Sequence, residues 1–215
     1  MNVSMIPGTG FSSNIYLVES KGEYILVDAG LWETRDYVQD CLEQGLRGNP
    51  LELIFLTHRH CDHIGGAGPI AKSTGTRILA PAGEIDAIRS NDHTTGAALF
   101  GVHVDPLEAQ PVEPGEKICI GGLEFEIIHT PGHTSGGTVL YEKREKALFT
   151  GDTVFAGGGV GRWDLPTGDF NSLVKSITFL SDMDVESMYP GHGPPVEECA
   201  RESIMSSLSS LGHYR

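Results

Sequence analysis

Within six consecutive positions the chain carries His58, His60, Asp62 and His63. Imidazole is the side chain most often found on a metal ion, and a carboxylate adds the charge that holds a divalent cation. The run Leu51-Glu52-Leu53-Ile54-Phe55-Leu56 before the cluster is apolar and of strand length. The stretch Ile64-Gly65-Gly66-Ala67-Gly68-Pro69 after it reads as turn material. The cluster is therefore expected on a loop just past the end of a buried strand, where α/β folds carry their chemistry. In extended backbone, residues two apart point the same way. His58 and His60 can then grip one ion, while the adjacent Asp62 and His63 are left for a second. The expectation is a two-metal site with ions about 3.5–4 Å apart.

Three later strands run into similar ends. Leu123 to Ile128 leads into His129-Thr130-Pro131-Gly132-His133, Ala147 to Phe149 into Thr150-Gly151-Asp152, and Glu186 to Tyr189 into Pro190-Gly191-His192. Each places a glycine immediately before a possible ligand, and a glycine lets the backbone turn sharply against a crowded centre. Together with residues 58–63, His133, Asp152 and His192 complete a coordination set. Asp28, in Val27-Asp28-Ala29-Gly30, ends an earlier strand in the same fashion.

The elements that must carry these residues follow from periodicity. Strands are expected at 14–18, 24–27, 51–56, 77–80, 117–120, 123–128, 138–142, 147–150 and 186–189. Helices are expected at 34–46, over one or two turns at 84–88, after an Asp169 cap through Leu180, and at 196–211. Residues 91–116, broken by Gly96, Gly101, Pro106, Pro111 and Pro114, read as a loop over the site or along its rim. Gly157 to Gly159 and Gly161 read as a flexible loop at the site mouth, not a nucleotide fingerprint. No repeat and no obvious linker interrupts the order strands, helix, strands, helix, so residues 1–215 are read as one layered α/β sandwich.

The composition of the 215 residues, 39% hydrophobic and 20% charged, is that of a soluble globular protein. Fifteen Lys and Arg against 29 Asp and Glu give a net charge of -14, which argues against a phosphate backbone as substrate. The densest basic stretch, Lys143-Arg144-Glu145-Lys146, is interrupted by an acid. There is no signal-peptide pattern at Met1 and no run of membrane-spanning length, so neither membrane nor export is expected. Cys41, Cys61, Cys119 and Cys199 form no Cys-x-x-Cys pair and read as reduced thiols of a cytoplasmic protein, with Cys61 packing behind the histidine loop. His93, His103 and His213 have no motif around them and are assigned to surface or rim; His129 is assigned a backbone bond at its strand end.

The run His58-x-His60-x-Asp62-His63, followed in order by His133, Asp152 and His192, resembles the metallo-β-lactamase superfamily, and Asp28 matches the first motif of that family. The resemblance covers nearly the whole chain. It implies an αβ/βα sandwich, two facing mixed sheets with helices outside and metals at one sheet edge. It implies that His58, His60 and His133 bind the first metal, that Asp62, His63 and His192 bind the second, that Asp152 bridges, and that Asp28 steadies the ligand loop. Thr130-Pro131-Gly132-His133-Thr134-Ser135-Gly136, Phe149-Thr150-Gly151-Asp152-Thr153-Val154-Phe155 and Gly159-Val160-Gly161-Arg162-x-Asp164 are similar to the short, single-domain relatives of glyoxalase II.

That similarity implies a binuclear hydrolase that cleaves a thioester by attack of a metal-activated hydroxide, with Asp62 and Asp152 orienting the nucleophile. Zinc suits the imidazole-rich set, and iron and manganese also suit imidazole with carboxylate. Arg162 is the candidate contact for a substrate carboxylate, and pairing with Asp164 is its alternative. Full-length glyoxalase II adds a helical domain with basic residues that help hold glutathione. Here only Arg201 and Arg215 are basic beyond His192, so glutathione as the thiol is in question. The alternatives are a mononuclear iron persulfide dioxygenase, with His58, His133 and Asp152 as a facial triad, and a lactonase or phosphodiesterase of the same fold. Oligomeric state is not legible.

Overall fold

A computed structural model describes residues 1–212, and His213 and Arg215 lie outside the described residues. Among the described residues eleven strands form two mixed sheets. The first has the order β1 (Asn2–Ile6), β2 (Ile15–Ser20), β3 (Glu23–Val27), β4 (Leu51–Phe55), β5 (Arg77–Pro81), β6 (Ala109–Val112). Strands β1 to β3 pair antiparallel and β3 to β6 parallel. The second sheet has the order β11 (Ser187–Pro190), β10 (Ala147–Gly151), β9 (Thr138–Glu142), β8 (Leu123–His129), β7 (Lys117–Ile120). There β10 and β11 run parallel and the remaining neighbours antiparallel.

Period-2 alternation builds the layers. Ile25 and Val27 of β3, Leu53 and Phe55 of β4, Phe125 and Ile127 of β8, Leu140 of β9 and Phe149 of β10 meet in one buried cluster between the sheets. Their neighbours face outward. Leu26 and Ile54 pack against Val38, Leu42 and Leu46 of α1 (Arg35–Leu46), Ile70 of α3 (Ala67–Thr74), and Ile85 and Ile88 of α4 (Ile85–Ser90). On the far side Val139, Tyr141 and Leu148 pack against Leu173, Ile177 and Leu180 of α6 (Phe170–Ser181) and Ile204 and Leu211 of α7 (Ala200–Leu211). Each such buried side chain contributes about 1.5–3 kcal/mol, so the alternation sets which face each strand shows. The αβ/βα sandwich expected from the sequence is the one observed.

The local departures have physical reasons. Helix α3 replaces the expected turn at 64–69; Pro69 falls in its first turn, where a missing N–H costs nothing. Strand β6 lies inside the expected 91–116 loop and carries Pro111, which is tolerated because β6 is the outer strand of its sheet. Strand β1 was hidden because Asn2, Ser4 and Met5 leave most of it exposed. The last helix starts at Ala200 instead of residue 196, because Val196 exchanges backbone hydrogen bonds with Met188 first. Asp169 caps α6 as expected, accepting from Ser172 N at 2.7 Å. The Gly-rich loop is pinned, with Ser207 and Ser210 of α7 donating to Gly159 O and Gly158 O at 2.9 and 3.0 Å.

Candidate metal centre

Strands β3, β4, β8, β10 and β11 all end at one rim, and every candidate ligand follows one of those ends. His58 and His60 lie on the loop after β4, which bends at 57–59 and is extended again at His60. Asp62 and His63 lie on α2 (Cys61–Ile64), a single helical turn, and the His63 ring stands 4.1 Å from that of His58. His133 follows β8, Asp152 follows β10 and His192 follows β11. The ring centroids of His58 and His60, and of His58 and His133, are 4.9 Å apart, and those of His63 and His192 are 5.5 Å apart. A side chain on Gly191 would collide with Asp152 and His63, and one on Gly132 with the start of α6, so the glycines before His192 and His133 permit the close approach.

Hydrogen bonds from behind the rings decide which ring nitrogens face inward. Asp28 accepts hydrogen bonds from Thr57 N at 2.8 Å, Thr57 Oγ1 at 2.9 Å and His63 Nδ1 at 2.8 Å. Since the Thr57 hydroxyl donates to Asp28, it accepts from His58 Nδ1 at 3.0 Å. His133 Nδ1 donates to the Arg162 carbonyl at 2.6 Å. These bonds place a proton on Nδ1 of His58, His63 and His133 and leave Nε2 of each as the nitrogen that faces inward. Asp152 sits among them, with Oδ1 3.2 Å from His63 Nε2 and Oδ2 3.5 Å from both His133 Nε2 and His192 Nε2.

The donor atoms of His58, His60 and His133 all lie within 4.8 Å of one another, and so do those of Asp62, His63 and His192. A further set, His58, His63 and Asp152, meets the same limit. His58 Nε2, His63 Nε2 and Asp152 Oδ1 are buried without a well-aligned hydrogen-bond partner among the described residues. Inward lone pairs and carboxylate oxygens left unsatisfied cost free energy unless a cation meets them. The residues therefore fit divalent cations.

The electrostatics agree. Burial holds His58 well below the ordinary imidazole value, lowers His60 to about 3 and lowers His133, so all three are neutral at pH 7 and free to ligate. Burial alone would lower His63 too, but Asp152, Asp28 and Asp62 outweigh it and raise it well above normal. Burial likewise opposes ionisation of Asp62 and Asp152, yet the neighbouring histidines, His63 first, hold both below the ordinary carboxylate range.

Arg162 lines the mouth of the centre, but Asp164 engages its Nε and Nη2 at 2.9 and 2.8 Å. The part of Arg162 that touches the ligand set is its carbonyl. Cys61 is fully buried behind the loop, and burial pushes its thiol up to about 12. His129 bonds the Ser135 carbonyl at 3.0 Å, and His93 and His103 are exposed.

Two supports went unread in the sequence. Arg59 and Glu84 form a buried ion pair. Arg59 also donates to Thr94 Oγ1 at 2.9 Å and Gly83 O at 2.8 Å, while Glu84 accepts from Thr134 Oγ1 at 2.8 Å and Gly136 N at 2.7 Å. The pair ties the His58–His60 loop to the His133 loop. Asn14 donates through Nδ2 to Pro190 O at 3.1 Å and Gly193 O at 2.7 Å, and Tyr16 OH donates to Pro190 O at 2.7 Å, tying β2 to the His192 loop. The one available signal was that Arg59 stands inside the ligand run and Glu84 is an acid at the start of a short helix.

Residues 8–192 match the family described as the metallo-beta-lactamase superfamily. A probable metallo-hydrolase of Methanocaldococcus jannaschii is 39% identical over 194 residues, covering 86% of this chain and 90% of that protein. The hydroxyacylglutathione hydrolase GloC of Haemophilus influenzae is 34% identical over 199 residues, covering 90% and 91%. Among solved structures, TTHA1623 in a di-iron-bound form superposes with a TM-score of 0.77 at 25% identity, covering 98% of this chain and 97% of that one. With its paired mixed sheets and its ligand-rich rim, the chain belongs to the metallo-beta-lactamase superfamily.

Proposed function

We propose that this chain is a binuclear metal-dependent hydrolase that cleaves a thioester of a small molecule. The observation that carries the reading is the pair of three-residue donor sets with Asp152 between them and their electron pairs turned inward. The match to a protein named hydroxyacylglutathione hydrolase over nine-tenths of both chains supports the reaction class. His58, His60 and His133 would hold one cation, Asp62, His63 and His192 the other, and Asp152 would bridge. When bound, two divalent ions make water a nucleophile near neutral pH and polarise a carbonyl oxygen. Zinc suits the donors and iron suits them too, in keeping with the di-iron form of TTHA1623.

The chain's own residues do the rest. Asp62 and Asp152 border the cavity as ionised carboxylates and accept hydrogen bonds from the attacking water, orienting it. Asp28 keeps the Nδ1 proton of His63, so that Nε2 stays available. A thiolate leaves without full protonation because a free thiol has a pKa of about 8.5, so no dedicated acid is required. The four cysteines are free thiols, which fits the reducing cytoplasm. Among the described residues no helix is long and apolar enough to cross a membrane.

The test joins metal content to turnover. Two ions per chain and hydrolysis of thioesters support the reading, and His133→Ala and Asp152→Ala are expected to lose metal and activity together. Full turnover by a metal-poor variant sinks the scheme. One iron per chain, with dioxygen consumed on a persulfide, would move the reading to the oxidative alternative.

A further inference from the structure

The cavity over the centre has a volume of about 270 Å³, and away from the ligands and Arg162 its walls are apolar. Phe11, from the connection between β1 and β2, and Phe100, at the end of α5 (Ala97–Phe100), form one side, their ring centroids 5.6 Å apart. Phe155, Val160 and Leu165, from the segment after β10, form the other, and the Phe155 ring stands 5.9 Å from that of His192. Phe11 and Phe100 remain 43% and 44% exposed although their rings pack on each other. Exposed aromatic side chains rimming a reactive centre mark a surface that a ligand covers.

Charge at this mouth is as informative as its apolarity. Arg162 is the one Lys or Arg lining the cavity among the described residues, and Asp164 holds it through two hydrogen bonds. The ion pair is exposed and adds little stability, but it occupies the Nε–Nη2 edge of the guanidinium, one of the edges that could receive a substrate carboxylate. The chain as a whole, at -14, repels anions at long range.

We infer that this cavity selects a thioester whose arms are apolar and uncharged, with Phe11 and Phe100 as specificity-determining residues and Asp164 masking Arg162 from anionic thiols. The inference deepens the hydrolytic reading and rests on it for the thioester bond alone.

The test is calorimetric binding of non-hydrolysable thioethers to the metal-loaded full chain, with S-ethyl, S-butyl and S-hexyl derivatives of N-acetylcysteamine set against S-hexylglutathione. Each added methylene buried in the cavity is expected to tighten the neutral series about two- to fourfold. S-hexylglutathione is expected to bind at least about tenfold more weakly than its neutral counterpart. Phe11→Ser with Phe100→Ser, both at exposed positions, should flatten the chain-length dependence while metal content holds. Asp164→Asn should strengthen S-hexylglutathione binding several-fold by freeing Arg162.

Tighter binding of the glutathione thioether by the wild type, a flat chain-length series, or no effect of either variant overturns the inference. Hydrolysis of the matching thioesters is followed separately. If the binding order holds and no thioester is cleaved, the hydrolytic reading falls and the cavity assignment stands. If thioesters are cleaved with glutathione preferred, the reverse holds.

Discussion

Single hydrogen bonds at the rim decide what each imidazole offers. Asp28, left-handed at φ 61, turns its carboxylate under the ligand loop and accepts hydrogen bonds from Thr57 and His63. Losing such a partner commonly costs 10- to 100-fold in metal affinity, and Asp28→Asn is expected to show that loss in competition with a chelating dye. Unchanged affinity would remove Asp28 from the site. The two donor sets should also differ in pH dependence. A raised pKa means that a proton holds its site to higher pH, and on His63 that proton competes with the cation for Nε2. His60, lowered to about 3, meets no such competition near neutrality. As pH falls from about 8 to 5 at fixed free zinc, one equivalent should leave the Asp62, His63 and His192 set before the His58, His60 and His133 set. Simultaneous loss, or the opposite order in His63 and His133 variants, would contradict this.

The strands act by ending together. Parallel pairing of β3 with β4 and of β10 with β11 puts Asp28, the histidine run, Asp152 and His192 on one edge, and the antiparallel path through β9 returns β8 to the same edge. Ties between loops then fix the spacing, and the buried Arg59–Glu84 pair is the most demanding of them. Removing one partner of a buried pair leaves an uncompensated charge and costs about 3–5 kcal/mol. Glu84→Gln is expected to lower stability in urea by that order and to weaken cation retention by His58, His60 and His133. A change under about 1 kcal/mol would show that the loops hold themselves.

For the molecule as a whole, the cations would be part of the fold's stability. A ligand bound only by the folded state stabilises by about 4 kcal/mol at a thousandfold its dissociation constant, so chelation should lower Tm by several degrees. The chelated protein should also become acid-sensitive. His58, His60 and His133 have folded pKa values below the unfolded value of about 6.5. What they contribute is therefore complete above about pH 6.5 and lost as pH falls toward the folded values. His63 and His192, raised in the fold, act with the opposite sign: their contribution is complete below about pH 6.5 and lost as pH rises through their folded values. Thermal melts of chelated and metal-loaded protein between about pH 5 and 8 would check this; an acid limb no steeper after chelation would count against it.

The layered sandwich and the set of residues that gather at its rim were legible in the chain because both are written locally. The continuous apolar runs at 25–27 and 139–141 mark strands buried on both faces, and the glycines at 132, 151 and 191 announce the turns that deliver His133, Asp152 and His192. What the linear order could not carry was any relation between distant segments. That Asp28 reaches both Thr57 and His63, that Glu84 answers Arg59, and that Asn14 and Tyr16 grip the loop of His192 are contacts across tens of residues, with no periodicity to mark them. Strand β6 and helix α3 were masked by Pro111 and Pro69, which forbid regular structure locally and are admitted here only by an outer-strand or first-turn position. The apolar mouth likewise needed the fold, because Phe11, Phe100 and Phe155 meet only when three separate connections converge over one rim.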